Sequence, residues 1–133
     1  MNRFLAILAG LISASVVMIL IEMLGHQLYP PPANINDPEI MKAFMANMPL
    51  WAFVFILVAY FLGSIAGGLV TSLIAKEKQF QLLIILGAIL TVLGILNLLM
   101  ITHPIWFMIA SLAMYIPGTY IGHQLSLKFK KND

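Results

Sequence analysis

The chain has 133 residues, of which 62% are apolar and only 9% are charged, with a formal net charge of +2 at pH 7. Because a soluble domain carries about 25% charged residues, this chain has too few to cover a surface in water, and its apolar excess must face lipid. The lack of cysteine excludes disulfides, thiolate metal sites and cysteine nucleophiles, and the basic residues lie beside apolar segments, where they do not indicate nucleic-acid binding.

Four apolar segments are long enough to cross a bilayer, which takes about 20 residues. We predict transmembrane helices at about 4–28, 50–75, 79–101 and 105–127. The last two are separated at Thr102-His103-Pro104, because proline disfavours a helical conformation in the residue before it. The first segment is interpreted as a mature helix and not as a signal peptide, since its apolar run is too long and no A-x-A cleavage site follows it.

A short additional helix is predicted between the first two spans. After the stiff exit Pro30-Pro31-Pro32, Asp37 is a suitable N-cap residue and Pro38 suits the first helical turn. An apolar stripe at helical spacing follows, made of Ile40, Met41, Phe44, Met45 and Met48. We therefore expect this helix to lie on the outer membrane surface.

The basic residues predict the orientation of the chain in the membrane. In a four-span arrangement one side carries Arg3, Lys76, Lys78, Lys128, Lys130 and Lys131, and the other side carries only Lys42. Because Lys and Arg concentrate in cytoplasmic segments, both termini are predicted to be cytoplasmic. Trp51 and Trp106 then fall at the outer interface, where amphipathic rings prefer to lie.

Residues 49–67 and 104–122 form an internal repeat. The matched pairs are Pro49/Pro104, Trp51/Trp106, Leu57/Leu112, Tyr60/Tyr115, Gly63/Gly118 and Gly67/Gly122, with Ser64/Thr119 as a conservative pair. The preceding helices match more weakly, through the equal spacing of Gly10 to His26 and of Gly87 to His103. Because each half starts on the cytoplasmic side, the repeat is parallel, and its pseudo-twofold axis should run along the membrane normal.

The predicted fold class is therefore all-α, a polytopic membrane protein with four transmembrane helices in two pseudo-twofold-related hairpins and a short outer interfacial helix. Residues 1–133 form a single domain, with one repeat at about 4–75, interrupted by an insertion at 27–48, and the other at about 79–127. Small residues let helix backbones approach closely, and the predicted packing positions are Gly63, Ser64, Gly67, Gly118, Thr119 and Gly122. Pro117 is predicted to kink the fourth span.

Glu22 is the only acidic residue within a predicted span. A charge inside a membrane costs about 2.5–3.5 kcal/mol on insertion scales, so it normally has a partner or a function. His26 and Tyr29 share its helical face at i+4 and i+7, and the repeat places His103 at the depth of His26, with Asn97 one to two turns below. We predict a polar site from these five residues. The simpler alternative is that Glu22 is neutral or pairs with His26 near the interface.

Two kinds of metal site fit the residue types. Two histidines and a carboxylate can hold zinc or ferrous iron, and Met41, Met45 and Met48 are soft ligands that suit Cu(I). Neither spacing is a signature, because interfacial histidines are common and methionine is an ordinary apolar filler. The metal is therefore left unknown, and no cofactor is predicted. The sequence has no nucleophile elbow, phosphate loop, H-E-x-x-H or haem-attachment motif.

Two segments resemble a group of small uncharacterised bacterial membrane proteins with four helices. Residues 22–32 carry the pattern E-x-x-G-H-x-x-Y-P-P-P, and residues 97–107 contain H-P-x-W-F. The resemblance extends over the whole chain and implies the four-helix fold, but it implies no activity. Thr102 departs from the proline expected before His-Pro, which should only loosen that turn.

Three functions fit this sequence. The first is a small bacterial inner-membrane protein of non-enzymatic type, a binding or accessory subunit that forms homo-oligomers or joins other membrane proteins in the lipid bilayer. The second is a small oligomeric transporter or channel with Glu22 as its protonatable site. The third is a metal-dependent membrane enzyme. Enzymatic activity is the less favoured reading, because the chain has no sizeable soluble domain.

Overall fold

A computed structural model describes residues 2–34, 36–100 and 103–131, and this part of the chain is helical. The helices are α1 (Asn2–Leu28), α2 (Pro38–Ala46), α3 (Leu50–Ile74), α4 (Gln79–Met100), α5 (Ile105–Leu112) and α6 (Tyr115–Lys131). Four stretches are long and apolar enough to cross a membrane, namely Arg3–Leu28, Leu50–Ile74, Gln79–Met100 and Ile105–Lys131. The predicted all-α fold with four spans is confirmed.

The long helices alternate in direction, which gives the bundle two unlike ends. At the basic end, Arg3 of α1 forms an ion pair of 3.6 Å with Glu77 in the loop before α4. The ammonium group of Lys130 in α6 donates a 2.8 Å hydrogen bond to the carbonyl of Ser72 in α3. The opposite end, called the α2 end here, is formed by α2 with the start of α3 and the start of α5.

The loop at the basic end is short because one residue adopts a left-handed conformation. Lys78 has a φ of 54°, a region that non-glycine residues seldom occupy. This conformation reverses the chain between Ala75 and Gln79, so that α4 returns antiparallel to α3. The Gln79 amide secures the turn by donating to the carbonyls of Ser72 at 3.0 Å and Ala75 at 2.9 Å.

The centre of the bundle is α3, which packs against α1, α4, α5 and α6. Its small residues make this possible, because a side chain at these positions would meet neighbouring backbone. A methyl group at Gly67 would lie 2.9 Å from the carbonyl oxygen of Gly10 in α1. A methyl group at Gly122 of α6 would overlap the carbonyl of Ile65 in α3. The backbones of α3 and α6 are therefore in direct contact.

The six residues predicted as packing positions are all buried, and they show how the matched helices meet. Tyr60 and its match Tyr115 lie with ring centroids 5.7 Å apart, and Gly118 faces Ser64. Thus α3 and α6 run side by side in the same direction. Their glycines nevertheless have different neighbours, since Gly63 and Gly67 face α1 whereas Gly118 and Gly122 face α3. The twofold relation between complete hairpins stays a prediction.

The fourth span is interrupted as expected from Pro117, but the interruption lies one turn earlier. Proline has no N–H to donate to the carbonyl four positions before it, and that residue is Ala113. The chain forms a turn at Ala113 and Met114, between α5 and α6. Met114 bonds to the carbonyl of Ser111 at 3.1 Å, and helical bonding resumes from Gly118 to Met114 at 3.1 Å.

The apolar excess lies on the outside of the four long helices. Phe4, Ile109 and Leu99 are 68%, 68% and 76% exposed, respectively. Exposed apolar side chains this numerous on the long helices are expected where the surface faces an apolar medium. The chain is thus built as a membrane protein, with its small and polar residues kept between the helices.

Candidate functional site

A cavity of about 190 Å³ lies at the α2 end, where α2 covers the space between α1, α3 and α4. We call it the α2 cavity. Its polar lining residues are Glu22, His26, Tyr29, Tyr60, Asn97 and His103. Its other lining residues are Gly25, Pro31, Met41, Phe44, Met45, Met48, Ala52, Phe55 and Ile56. The cavity therefore combines a few polar groups with a largely apolar and aromatic wall.

All five residues of the predicted polar site line this one cavity. Glu22 and His26 belong to α1, and Tyr29 directly follows its last residue, with its N–H still bonded to the carbonyl of Gly25 at 2.8 Å. A spacing of about one turn puts the three on the same face. His26 and Asn97 are exposed and mark the rim, whereas Glu22 and Tyr29 are half-buried. The exposure of these polar side chains thus decreases from the rim of the cavity inward.

The α2 cavity extends into the membrane-spanning part of the bundle. Glu22 precedes the last residue of α1, Leu28, by six positions, which is about 9 Å along the helix. Tyr60 follows the first residue of α3, Leu50, by ten positions, or about 15 Å. A ligand that touched both side chains would therefore lie below the helix ends, among spanning residues.

The Glu22 carboxyl group lines the cavity without being tied to the bundle. In the ranges that the structure describes, it takes part in no hydrogen bond and no ion pair. His26, one turn away on α1, is within electrostatic range, and so are the hydroxyl groups of Tyr60 and Tyr115. Its acceptor oxygens are thus available to whatever enters the cavity.

His103 is held by an aromatic cluster behind the cavity. Its imidazole stacks on Phe107 with centroids 5.0 Å apart and planes 13° from parallel. Phe107 is fully buried, and it contacts Phe53 at 5.2 Å and Tyr60 at 6.4 Å. These rings fix the wall that carries both Tyr60 and His103.

The helix α2 begins as predicted, with Asp37 as its N-cap. The carboxylate of Asp37 accepts a 2.9 Å hydrogen bond from the backbone N–H of Glu39. The apolar face of α2 packs against the chain itself, because Met45 is only 7% exposed and belongs to a cluster with Phe53, Leu98 and Phe107. Met41 and Met48 line the cavity as well. The stripe that predicted contact with the membrane surface thus serves as the roof of the cavity.

The sequence analysis missed the contribution of α3 to this site. Ala52, Phe55, Ile56 and Tyr60 all line the cavity. Their spacing of i, i+3, i+4 and i+8 places them on one helical face, which was a usable signal. This face is difficult to recognise in the sequence because α3 is apolar on every side, and because Tyr60 also fits the internal repeat.

The lining residues do not form a metal centre of the usual kind. Across residues 2–34, 36–100 and 103–131, no three His, Asp or Glu side chains converge closely enough to hold a metal ion. Glu22, His26 and His103 line the same cavity but do not form such a group among the described residues. A zinc ion requires ligand distances near 2.0–2.2 Å, which this arrangement does not provide.

At the basic end, the buried polar side chains form hydrogen bonds within the bundle. His123, which is 8% exposed, pairs its Nδ1 with the Ser72 hydroxyl at 3.0 Å. The Thr71 hydroxyl donates to the carbonyl of Ala6 at 3.1 Å. The Ser126 hydroxyl donates to the carbonyl of His123 at 2.6 Å. The Ser72 bond joins α3 to α6 and the Thr71 bond joins α3 to α1, whereas the Ser126 bond lies within α6. Two of these polar groups therefore hold helices together.

Compared with known protein families, with curated proteins and with solved structures, the chain shows no match. Its resemblance to small bacterial four-helix membrane proteins therefore stays a prediction.

Proposed function

We propose that this protein is a small, non-enzymatic membrane protein that binds a small ligand in the α2 cavity. The observation that carries the proposal is the gathering of Glu22, His26, Tyr29, Asn97 and His103 around one space roofed by α2. A Glu22 carboxylate that only stabilised the fold would be bonded to a neighbouring helix, as the Ser72 and Thr71 hydroxyl groups are at the basic end. Here the five polar residues line a cavity with apolar walls, which is the usual construction of a ligand site.

The size of the cavity limits the ligand. An apolar cavity of about 150 Å³ in another protein accommodates benzene, and the α2 cavity measures about 190 Å³. A single ring with a short substituent fits such a space, whereas a drug-sized molecule needs a pocket of about 300–1,000 Å³. The proposal therefore concerns a ligand of roughly ten non-hydrogen atoms.

We propose the bacterial inner membrane as the location, with both termini in the cytoplasm and α2 outside. The support is the clustering of basic residues at one end, where Arg3 and Lys130 approach the C-terminal part of α3 and its loop. The cavity would then open toward the periplasm. Partners are the lipid bilayer and, in an assembly, further membrane proteins or copies of this chain.

An assembly would need a surface other than the glycine faces. Gly63 and Gly67 are covered by α1, and Gly118 and Gly122 are covered by α3. These glycine faces are therefore already buried within one chain and are not available for association between chains. Binding in the α2 cavity does not depend on oligomerisation.

The experiment compares two substitutions of alanine by phenylalanine. Ala52 lines the cavity and is 4% exposed, so Ala52→Phe fills the space. Ala88 is exposed on α4, and Ala88→Phe serves as the control.

The probes are benzyltrimethylammonium and its neutral carbon isostere neopentylbenzene. Their binding is measured by equilibrium dialysis against protein in nanodiscs, with empty nanodiscs as the blank. We expect at least one probe to bind the unmodified protein and the Ala88→Phe variant, and binding to fall at least tenfold in Ala52→Phe. The proposal is wrong if neither probe binds, or if Ala52→Phe binds as the control does.

Transport is the second candidate function, with Glu22 as the protonatable site. It is favoured by the position of Glu22 about 9 Å inside α1, where a proton could be exchanged with the cavity. It is opposed by the backbone contact of α3 with α6 between Tyr60 and the basic end. Proteoliposome flux with a pH-sensitive dye tests it, because Glu22→Gln should abolish proton coupling. Proton-coupled flux that persists in Glu22→Gln eliminates this mechanism.

A further inference from the structure

We propose that the ligand of the α2 cavity is a small organic cation, an ammonium group with an apolar or aromatic substituent, and that Glu22 is its counter-ion. This inference rests on the proposed binding function and gives the ligand class. Three properties of the cavity carry it: its charged groups, its rings and its volume.

The charged groups come first. Among the lining residues that the structure describes, Glu22 is the only carboxylate and none is Lys or Arg. The other titratable lining groups are His26, His103, Tyr29 and Tyr60, and tyrosine is neutral at physiological pH. With Glu22 ionised and the imidazoles neutral, the site carries one negative charge. A charge within a membrane span normally has a partner of opposite sign, and a monovalent cation supplies it, whereas an anionic ligand would be repelled.

The aromatic rings of the lining favour an organic cation over an inorganic one. Tyr29, Phe44, Phe55 and Tyr60 contribute four aromatic side chains from three elements of the wall. Ring faces attract ammonium groups, and quaternary ammonium ions in particular are bound by aromatic cages. Thioether groups of Met41 and Met48 add polarisable surface that tolerates varied apolar substituents.

The volume distinguishes this ligand from a bare metal ion. A metal requires ligand atoms that converge to within about 2.0–2.6 Å, and the described His, Asp and Glu side chains show no such group. The lining residues instead surround about 190 Å³, which an organic cation of one ring and one ammonium group would occupy.

The experiment uses the isosteric probes at about pH 8, above the range in which imidazoles ordinarily protonate. Benzyltrimethylammonium and neopentylbenzene have the same shape and differ by one charge. In the unmodified protein in nanodiscs, we expect the cation to bind at least tenfold more tightly than the neutral probe. Glu22→Gln should abolish this preference, whereas Glu39→Gln, which removes the same charge from an exposed position of α2 outside the cavity, should retain it.

Each outcome decides a different statement. Equal binding of both probes in the unmodified protein would refute the cationic ligand class while leaving the binding function intact. Absence of binding by either probe would remove the proposed function as well. If Glu22→Gln keeps the tenfold preference, Glu22 is not the counter-ion. If Zn²⁺ or Cu(I) displaces the bound probe and raises the melting temperature, while EDTA or a Cu(I) chelator reverses both effects, the site is a metal centre and the inference is wrong.

Discussion

At the basic end of the bundle, buried polar groups are bonded to each other and to backbone, whereas at the α2 end they line a cavity. Ser72 and His123 are both buried and share a 3.0 Å hydrogen bond. Glu22 is half-buried and, among the described residues, has no such bond. One sequence therefore places polar side chains within its spans in two different settings, one bonded between helices and one facing a cavity.

The difference teaches how to separate structural from functional polar residues in a small membrane protein. Polar groups of a structural kind join helices, and removing one leaves its partner unsatisfied. At the α2 end, the Glu22 carboxylate bonds to none of the described residues, so under the proposed function its acceptor oxygens remain for a ligand. Close glycine contacts reinforce this division, since backbone meets backbone where α3 packs on α6, whereas Tyr60 lines the α2 cavity.

The largest effect should appear in a labelling experiment that distinguishes the two ends by their side of the membrane. Asn34 precedes α2 and Lys131 ends α6, and both are exposed. With one cysteine introduced at a time, a membrane-impermeant maleimide on intact cells should label Asn34→Cys fully and Lys131→Cys only after lysis. Labelling of both positions from outside would overturn the proposed orientation and put both ends on one side.

The next largest effect should come from adding one methyl group at each end. A Cβ at Gly122 would overlap α3 backbone, which cannot move aside, so Gly122→Ala should lower the free energy of unfolding by about 3 kcal/mol. A Cβ at Gly25 would meet only the Phe55 ring at 3.0 Å, and alanine gains about 1 kcal/mol in helix propensity. Gly25→Ala should therefore change stability by less than about 1 kcal/mol. Denaturant unfolding in detergent measures both, and equal losses would show that the two ends are packed alike.

A smaller effect is expected from removing a structural hydroxyl. Ser72→Ala leaves the Nδ1 atom of buried His123 without its 3.0 Å partner, which should cost about 1 kcal/mol, because hydrogen bonds between membrane helices average roughly 0.6 kcal/mol. Ser15 is exposed on α1, so Ser15→Ala provides the control with no expected loss. Thermal unfolding of the two variants side by side checks the difference. A Ser72→Ala variant as stable as the control would mean that the bond is not structural.

The smallest effect on stability is expected at Glu22, although this residue is central to the proposed binding. An amide has nearly the same shape as the carboxyl group, and Glu22 bonds to none of the described residues. Glu22→Gln should thus change the free energy of unfolding by less than about 0.5 kcal/mol. The same unfolding measurement, made without ligand, tests this. A loss of about 2 kcal/mol or more would show that Glu22 supports the fold, and the contrast between the two ends would disappear.

Local periodicity was sufficient to predict most of the fold and the α1 side of the site. The four spans needed only the length of the apolar segments, and the face shared by Glu22, His26 and Tyr29 needed only the 3.6-residue repeat of a helix. His103 was placed with them because the internal repeat matches it to His26. These inferences depend only on the spacing of residues along the chain, which is known from the sequence.

Relations between helices could not be predicted in the same way. An apolar stripe such as that of α2 fits lipid and protein equally well, so only the packed structure shows that Met45 is buried against Phe53 and Phe107. The repeat predicted equal roles for Gly67 and Gly122, but the first faces α1 and the second faces α3. Which helix a glycine faces depends on the packing of all four spans, so it cannot be predicted from the spacing of residues within one helix.

Direct contact between the backbones of α3 and α6 also sets an order for assembly during synthesis. The first hairpin, α1 with α3, can close as soon as both helices have entered the membrane, but Ser72 has to wait for His123, which is 51 residues further along the chain. At about 5–20 residues per second this interval lasts roughly 3–10 s. Throughout that time the groove at Gly68 faces lipid or the insertion machinery, and it becomes protein interior only when the last helix arrives.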